Sequence, residues 1–510
     1  MNSRSRAPLA GLLIGHAVSL TGNMLTIIAL PLYVLAETGS PAATGLTGAV
    51  ATVPIVLGGA LGGVLVDRIG YRRASVLADL ISCLTVAAIP LLHVTVGLPF
   101  WALLVLVFLT NLLDTPGHTA RIALLPEAAA AAGLPTERAI GWFEATERGA
   151  RLLGAPVAGL LVATLGALPV LALDAATFVL SAVVVAVLVP ARLQPGADQP
   201  AAVDDSGGYW RQFAAGVRFL ISEPLLRAMV LLVLVTNFFD ATKTNVLLPV
   251  VAHRELGGAT ALGLLVGAMA GGAVAGSLVF SAIGHRLPRR VTFVVAFAVC
   301  GPPPFLGLAA GLPLPVLMTI FVVAGFAAGA INPMIGAIKL ERVPVRMRAR
   351  VYGVIGAGAW AAIPLGALSA GFASEHAGTT PTLVVVGVGY LLVVLTPLLG
   401  GPWRTMNRPL HQVPSPPRAD RSDFSAASPG PAVNASAGPA VNAGAGPAVN
   451  AGAGPAVNAG AGPAVGAGPD VDASAGSAGD ASTGSAAGVA VRVAGVPDNR
   501  GMSDQLPETA

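Results

Sequence analysis

Stretches of about 20 residues with almost no charge recur along this chain, and no other feature limits its fold as tightly. Backbone surrounded by hydrocarbon must satisfy its own hydrogen bonds, so each stretch reads as a membrane-spanning helix. Twelve can be drawn. The first six are residues 9–35, 43–66, 74–96, 100–121, 141–165 and 168–190. The second six are 225–251, 259–283, 291–311, 313–336, 351–373 and 381–400. Composition agrees: 11% of residues are charged, against roughly 25% in a soluble domain. Abundant glycine lets such helices approach closely. The first apolar run follows Arg4 and Arg6. It is long and lacks a clear small-x-small cleavage site, so it reads as an uncleaved first helix.

The charges between the runs orient them. With both termini on the cytoplasmic side, the inside segments hold Arg68, Arg72 and Arg73, then Arg121 and Arg138, then Arg192, Arg211 and Arg218. In the second half they hold Arg286, Arg289 and Arg290, then Lys339, Arg342, Arg346 and Arg348, then Arg404 and Arg408. The opposite loops offer little beyond Arg254. This is the positive-inside pattern of a bacterial-type plasma membrane protein.

Four regions follow: an N-terminal six-helix bundle (1–190), a polar, partly amphipathic connector (191–224), a C-terminal six-helix bundle (225–403) and a tail (404–510). The halves are related. A shift of 214 places Asn23 on Asn237 and Ile69-Gly70-Tyr71-Arg72 on Ile283-Gly284-His285-Arg286. A shift of 218 places Asp114 on Asn332, Arg121 on Lys339 and Pro126 on Pro344. Two parallel six-helix units, related by an axis along the membrane normal, produce such matches. In the tail, Gly-Pro-Ala-Val-Asn-Ala recurs from Gly430, Gly438, Gly446 and Gly454, with Phe424 the lone aromatic residue. It has too little apolar surface to offset its ordering entropy, so it reads as disordered.

Between runs 2 and 3 stands Gly63-Val64-Leu65-Val66-Asp67-Arg68-Ile69-Gly70-Tyr71-Arg72-Arg73. It closely resembles the loop signature of the major facilitator superfamily: Gly, three residues, Asp-Arg, one residue, Gly, then basic residues. The resemblance covers about residues 8–402. It implies two six-helix bundles around a path that opens alternately to each side. It also implies a latch in which Asp67 locks the cytoplasmic side against the start of helix 11, near Arg350. Arg68, Arg72 and Arg73 can pair with Asp67 or with lipid phosphates, or act only as topology determinants. Ser281 stands where the second half would need the Asp. On run 5, Gly154-Ala155-Pro156-Val157-Ala158-Gly159 partly resembles the family's antiporter motif, with Ala155 interrupting Gly-Pro and Leu160 replacing a final Gly. Close packing of Ala150, Gly154 and Ala158 explains it equally well.

Charge inside a membrane span is costly and points to function. Glu144 with Arg148, and Glu147 with Arg151, form two i,i+4 pairs on helix 5. They suit a structural gate or direct contact with substrate or proton. Asp114 on helix 4, near Asn111, and Asp240 beside Lys243 on helix 7 are candidate proton carriers. Asp240 and Lys243 can instead be a static pair. Asn23 and His16 on helix 1, and Asn237 on helix 7, can face the path. Asp79 and Asp174 rank lower, being nearer span ends.

No phosphate-binding loop, no His-Glu-x-x-His and no paired cysteines appear, which argues against ATP drive, a catalytic metal, a cofactor and enzymatic activity. The basic loops lack interleaved aromatics, against nucleic-acid binding. The reading is a monomeric secondary transporter, exporting a small hydrophobic or amphipathic molecule in exchange for protons. A nutrient importer of the same fold, or a non-transporting receptor or scaffold, are the alternatives.

Overall fold

A computed structural model describes residues 5–191, 193, 209–344 and 347–407; for 56–65, 67, 68, 209, 210, 212 and 349 it describes the backbone alone. The chain is all-helical across these residues. Span 1 is Ala7–Thr38, span 2 Pro41–Ile69, span 3 Tyr71–Thr95, span 4 Phe100–Ala123, span 5 Thr136–Leu165 and span 6 Ala167–Leu188. Span 7 runs from Pro224–Thr242 through a single π turn, Lys243–Leu247, into Leu248–Glu255. Span 8 is Ala259–Ile283, and span 9 joins Arg289–Cys300 to Pro302–Ala309. Span 10 is Leu314–Arg342, span 11 joins Arg348–Trp360 to Ile363–Ala377, and span 12 is Thr379–Leu395. Eleven of these are long and apolar enough to cross a membrane among the described residues. Span 2, at 29 residues, is long enough as well.

Local chemistry sets the boundaries. Gly39 takes a left-handed conformation (φ 64°) and returns its N–H to Leu35, ending span 1. Ser40 then caps span 2 by accepting from Ala43 N–H, with Pro41 at the first helical position. Gly70, at φ 89°, turns span 2 into span 3, a conformation unfavourable for a side chain. Span 9 breaks at Gly301-Pro302, where proline cannot continue the hydrogen-bond ladder. At about 1.5 Å per residue, a 29-residue helix exceeds a bilayer core of roughly 30 Å, so the longer spans project into headgroups and water.

Spans 1 to 6 pack among themselves, chiefly 1 on 5 and 6, 3 on 4 and 6, and 2 on 4. Spans 7 to 12 do likewise, with 8 on 10, 9 on 10 and 12, and 7 on 11. Span 2 meets span 11, and span 5 meets span 8, across the halves. Large apolar side chains such as Leu84, Val94, Leu160 and Leu392 are mostly exposed. In water this would be a liability; in a bilayer it is the lipid-facing surface. Between the halves, a connector helix Tyr209–Ser222 lays Gly216 against the Arg350 carbonyl. The repeat-bearing tail beyond residue 407 lies outside the described residues.

Candidate functional site

The two halves meet along seams built from residues without bulk. A β-carbon added at Gly45 of span 2 would stand 2.5 Å from Ala367 O and 2.9 Å from Gly371 Cα of span 11. One added at Gly159 of span 5 would stand 2.5 Å from Ala259 O and 3.0 Å from Gly263 Cα of span 8. One turn along, Pro156 packs onto Gly267. Backbones in such contact gain dispersion energy that larger side chains would forbid. Gly159 and Pro156 therefore sit in the seam between halves, while Gly154 faces span 1 at Met24.

Both seams lie toward the end that carries the turn between spans 1 and 2. Polar contacts tighten that end. Glu375, near the end of span 11, accepts from Ser40 Oγ and, at 2.9 Å, from Ala42 N–H. A carboxylate there also faces the positive end of span 2. Arg254 donates to Gly39 O at 3.3 Å. The pair Ser40 and Glu375 is separated by 335 residues, and no local pattern announces it. Glu375→Gln is expected to favour separation of the halves at this end by a few-fold only, since exposed charges are screened by water. Reaction of a cysteine placed at buried Thr47 with a membrane-impermeant maleimide would report it.

Within the first half, polar side chains bind spans together. Asp79 of span 3 pairs with Arg121 of span 4, both essentially buried. Arg121 Nε also donates to Ser75 Oγ at 3.0 Å, and Ser181 Oγ of span 6 lies 2.7 Å from Asp79. Here the structure departs from the charge reading. Arg121 and Lys339 count as loop charges by position, yet both are buried, and Lys339 lies over the Tyr352 ring at 5.0 Å. Asp79 and Asp174 rank low by position but are also fully buried, Asp174 bonding Thr26 of span 1. Distance from a span end along the sequence does not measure depth where helices project beyond the bilayer.

The other sequence candidates fall as follows. Asn23 donates to Asp114 at 3.2 Å, joining spans 1 and 4 in a half-buried position. Lys243 donates to Asp240 at 2.9 Å, and Tyr390 of span 12 donates to the same carboxylate at 3.2 Å. Lys243 begins the π turn of span 7 and lies 5.3 Å from the Phe305 ring. Asn237 donates to Ala359 O at 2.7 Å, beside the interruption of span 11. Glu144 is half-buried and Arg148 exposed, and the expected pair between them does not close within 4 Å among the described residues. Glu147 instead turns inward, with Arg151 at 3.8 Å and His118 of span 4 at 2.9 Å. His118 escaped the sequence reading, because its partner lies on another helix.

The loop motif is described in part. Gly63, Asp67 and Arg68 lie on span 2, but the side chains of Asp67 and Arg68 are outside the described residues. Gly70 makes the turn, Arg72 donates to Ala186 O of span 6, and Arg73 is exposed.

Known proteins share this design. The sequence pattern of the Major Facilitator Superfamily matches residues 12–242 and 230–440. The chain is 31% identical over 400 residues to the multidrug efflux pump Tap of Mycolicibacterium fortuitum, covering 77% of this chain and 95% of that one. It is 31% identical over 393 residues to Tap of Mycobacterium tuberculosis H37Rv, covering 76% and 92%. Among solved structures, the nucleoside transporter NupG superposes with a TM-score of 0.63 at 13% identity, covering 79% of this chain and 99% of that one. A bacterial homolog of the lysosomal transporter Spinster, inward-facing and unoccupied, gives 0.58 at 14% identity, covering 80% and 98%. Membrane-length helices, small-residue seams between two halves and a matching family pattern over most of the chain lead to one assignment: it is a membrane transporter of the Major Facilitator Superfamily.

Proposed function

We propose that this transporter exports small hydrophobic or amphipathic molecules across a bacterial plasma membrane by alternating access, as a monomer coupled to protons. The observation that carries alternating access is the pair of glycine seams between halves, both toward one end. With the termini cytoplasmic, as the arginine pattern favours, the sealed end is the outer one, and the described state is closed to the outside. The loop 63–73 then serves as the latch of the opposite state, with Asp67 at its centre. The relatives named as multidrug efflux pumps support export and more than one substrate. Buried carboxylates on spans 3, 5, 6 and 7 support proton coupling, since each can exchange charge for a proton in a low-dielectric setting.

Inside-out vesicles carrying the protein should accumulate a lipophilic fluorescent dye when an inward-acid gradient is imposed, and should release it when a protonophore collapses the gradient. Uptake by intact cells, with none in inverted vesicles, would replace export by import.

A further inference from the structure

The first half holds a cluster that neither the seams nor the pairs above explain. His16 of span 1, His118 of span 4 and Glu147 of span 5 converge, and all three are buried. One carboxylate oxygen, Glu147 Oε1, lies 2.9 Å from His118 Nε2 and 3.4 Å from His16 Nε2. The His16 ring stacks flat on Phe143, with centroids 3.8 Å apart, which fixes its plane toward the carboxylate. His16 is wholly buried, yet neither of its ring nitrogens makes a hydrogen bond. A histidine kept only to staple helices would have its nitrogens satisfied. An unpartnered imidazole nitrogen aimed at a carboxylate is a place where one more proton can be held.

The surroundings favour a proton over a larger cation. The donor atoms of the three residues lie within 4.8 Å of one another, close enough for a metal ion by distance alone. Arg151, however, is 3.8 Å from Glu147. Its guanidinium would oppose a divalent charge. The remaining titratable or charged groups are Glu144 and Arg148 on span 5, Asp114 and Arg121 on span 4, and Asp79 on span 3, the last two named paired with each other.

We infer that His16, His118 and Glu147 together form the binding site for the coupling proton. The inference rests on the proton-coupled export proposed above and names where the ion is held. When a proton reaches His16 Nε2, the imidazole becomes a cation and donates to Glu147 Oε1, drawing spans 1, 4 and 5 together. When the proton leaves, that contact lapses while His118 and Arg151 stay on the carboxylate. The site thus couples protonation to the packing of three helices, of which span 5 forms part of the seam with the other half. Asp240 is less suited, since Lys243 and Tyr390 already engage both its oxygens.

The test uses the full chain in proteoliposomes and compares wild type with Glu147→Gln and His118→Asn. Gradient-driven uphill dye transport should fall at least about tenfold in both, within the usual range of coupling energies. Dye exchange at equal concentration and without a gradient should survive within about twofold, because it needs no net proton movement. Retained uphill transport in both variants, while wild type responds to the gradient, overturns the assignment. Equal loss of exchange and uphill transport, or failure of both variants to fold, marks a structural staple and overturns it too. Wild type that ignores the gradient removes the proposed coupling itself, a separate outcome.

Discussion

Gly263→Leu is expected to abolish most uphill transport while leaving the protein folded and inserted. A β-carbon there would lie 2.4 Å from Ala155 O and 2.9 Å from Gly159 Cα, both backbone atoms of span 5. Backbone in the middle of a helix cannot step aside, so the clash is relieved only by moving span 8 away from span 5. Overpacking of this kind costs about 1–3 kcal/mol. The packing of each half on itself is spared, so the penalty falls on the state in which this seam is closed. A seam that must reform in every cycle should slow turnover by roughly tenfold to a hundredfold. Gly271 supplies the control. Its added β-carbon would meet only the flexible Leu152 Cδ1, at 3.1 Å, and Gly271→Leu should change transport little. Vesicle transport rates, with chromatographic profiles in detergent, separate the two. Wild-type transport in the Gly263 variant would dismiss the seam as a moving contact.

The second large effect is one of stability. Asp240 and Lys243 are buried together, three residues apart on span 7, with Lys243 only 1% exposed. Asp240→Leu alone leaves an ammonium in the core without its carboxylate, and Lys243→Met alone leaves the carboxylate without its cation. Losing one partner of a buried pair typically costs about 3–5 kcal/mol. The double variant, Asp240→Leu with Lys243→Met, removes both charges and should recover most of that loss, because desolvation nearly cancels the attraction within the pair. Thermal unfolding in detergent would show two strongly destabilised single variants and a double variant close to wild type. Its transport is then informative. Activity near wild type would make the pair a static strut, whereas a stable but inactive protein would return Asp240 and Lys243 to the transport path. A stable single variant would contradict the burial.

Much of the architecture was legible from residue order because membrane helices satisfy their hydrogen bonds locally, and hydrocarbon permits few alternatives. The turn residues Gly39, Ser40 and Pro41 mark a boundary in the same local way. Site chemistry was harder to read. The expected Glu147–Arg151 pair obeys helical spacing, but at 3.8 Å it is looser than the contact with His118, which no spacing rule reaches. Arg121 has the position of a topology-setting charge and the surroundings of a core residue. Its burial depends on Asp79 from one neighbouring helix and Ser181 from another.

From the order of its residues alone, the chain is a multi-span helical membrane protein with related halves and a family-like loop, because hydropathy, charge bias and repeats act within a helix or its adjoining turns. Tertiary structure alone determines which glycines become seams, that Glu375 clasps the start of span 2, and that two histidines share one carboxylate. Those contacts join residues tens to hundreds of positions apart, and their energy depends on helix rotation and depth, which no single segment specifies.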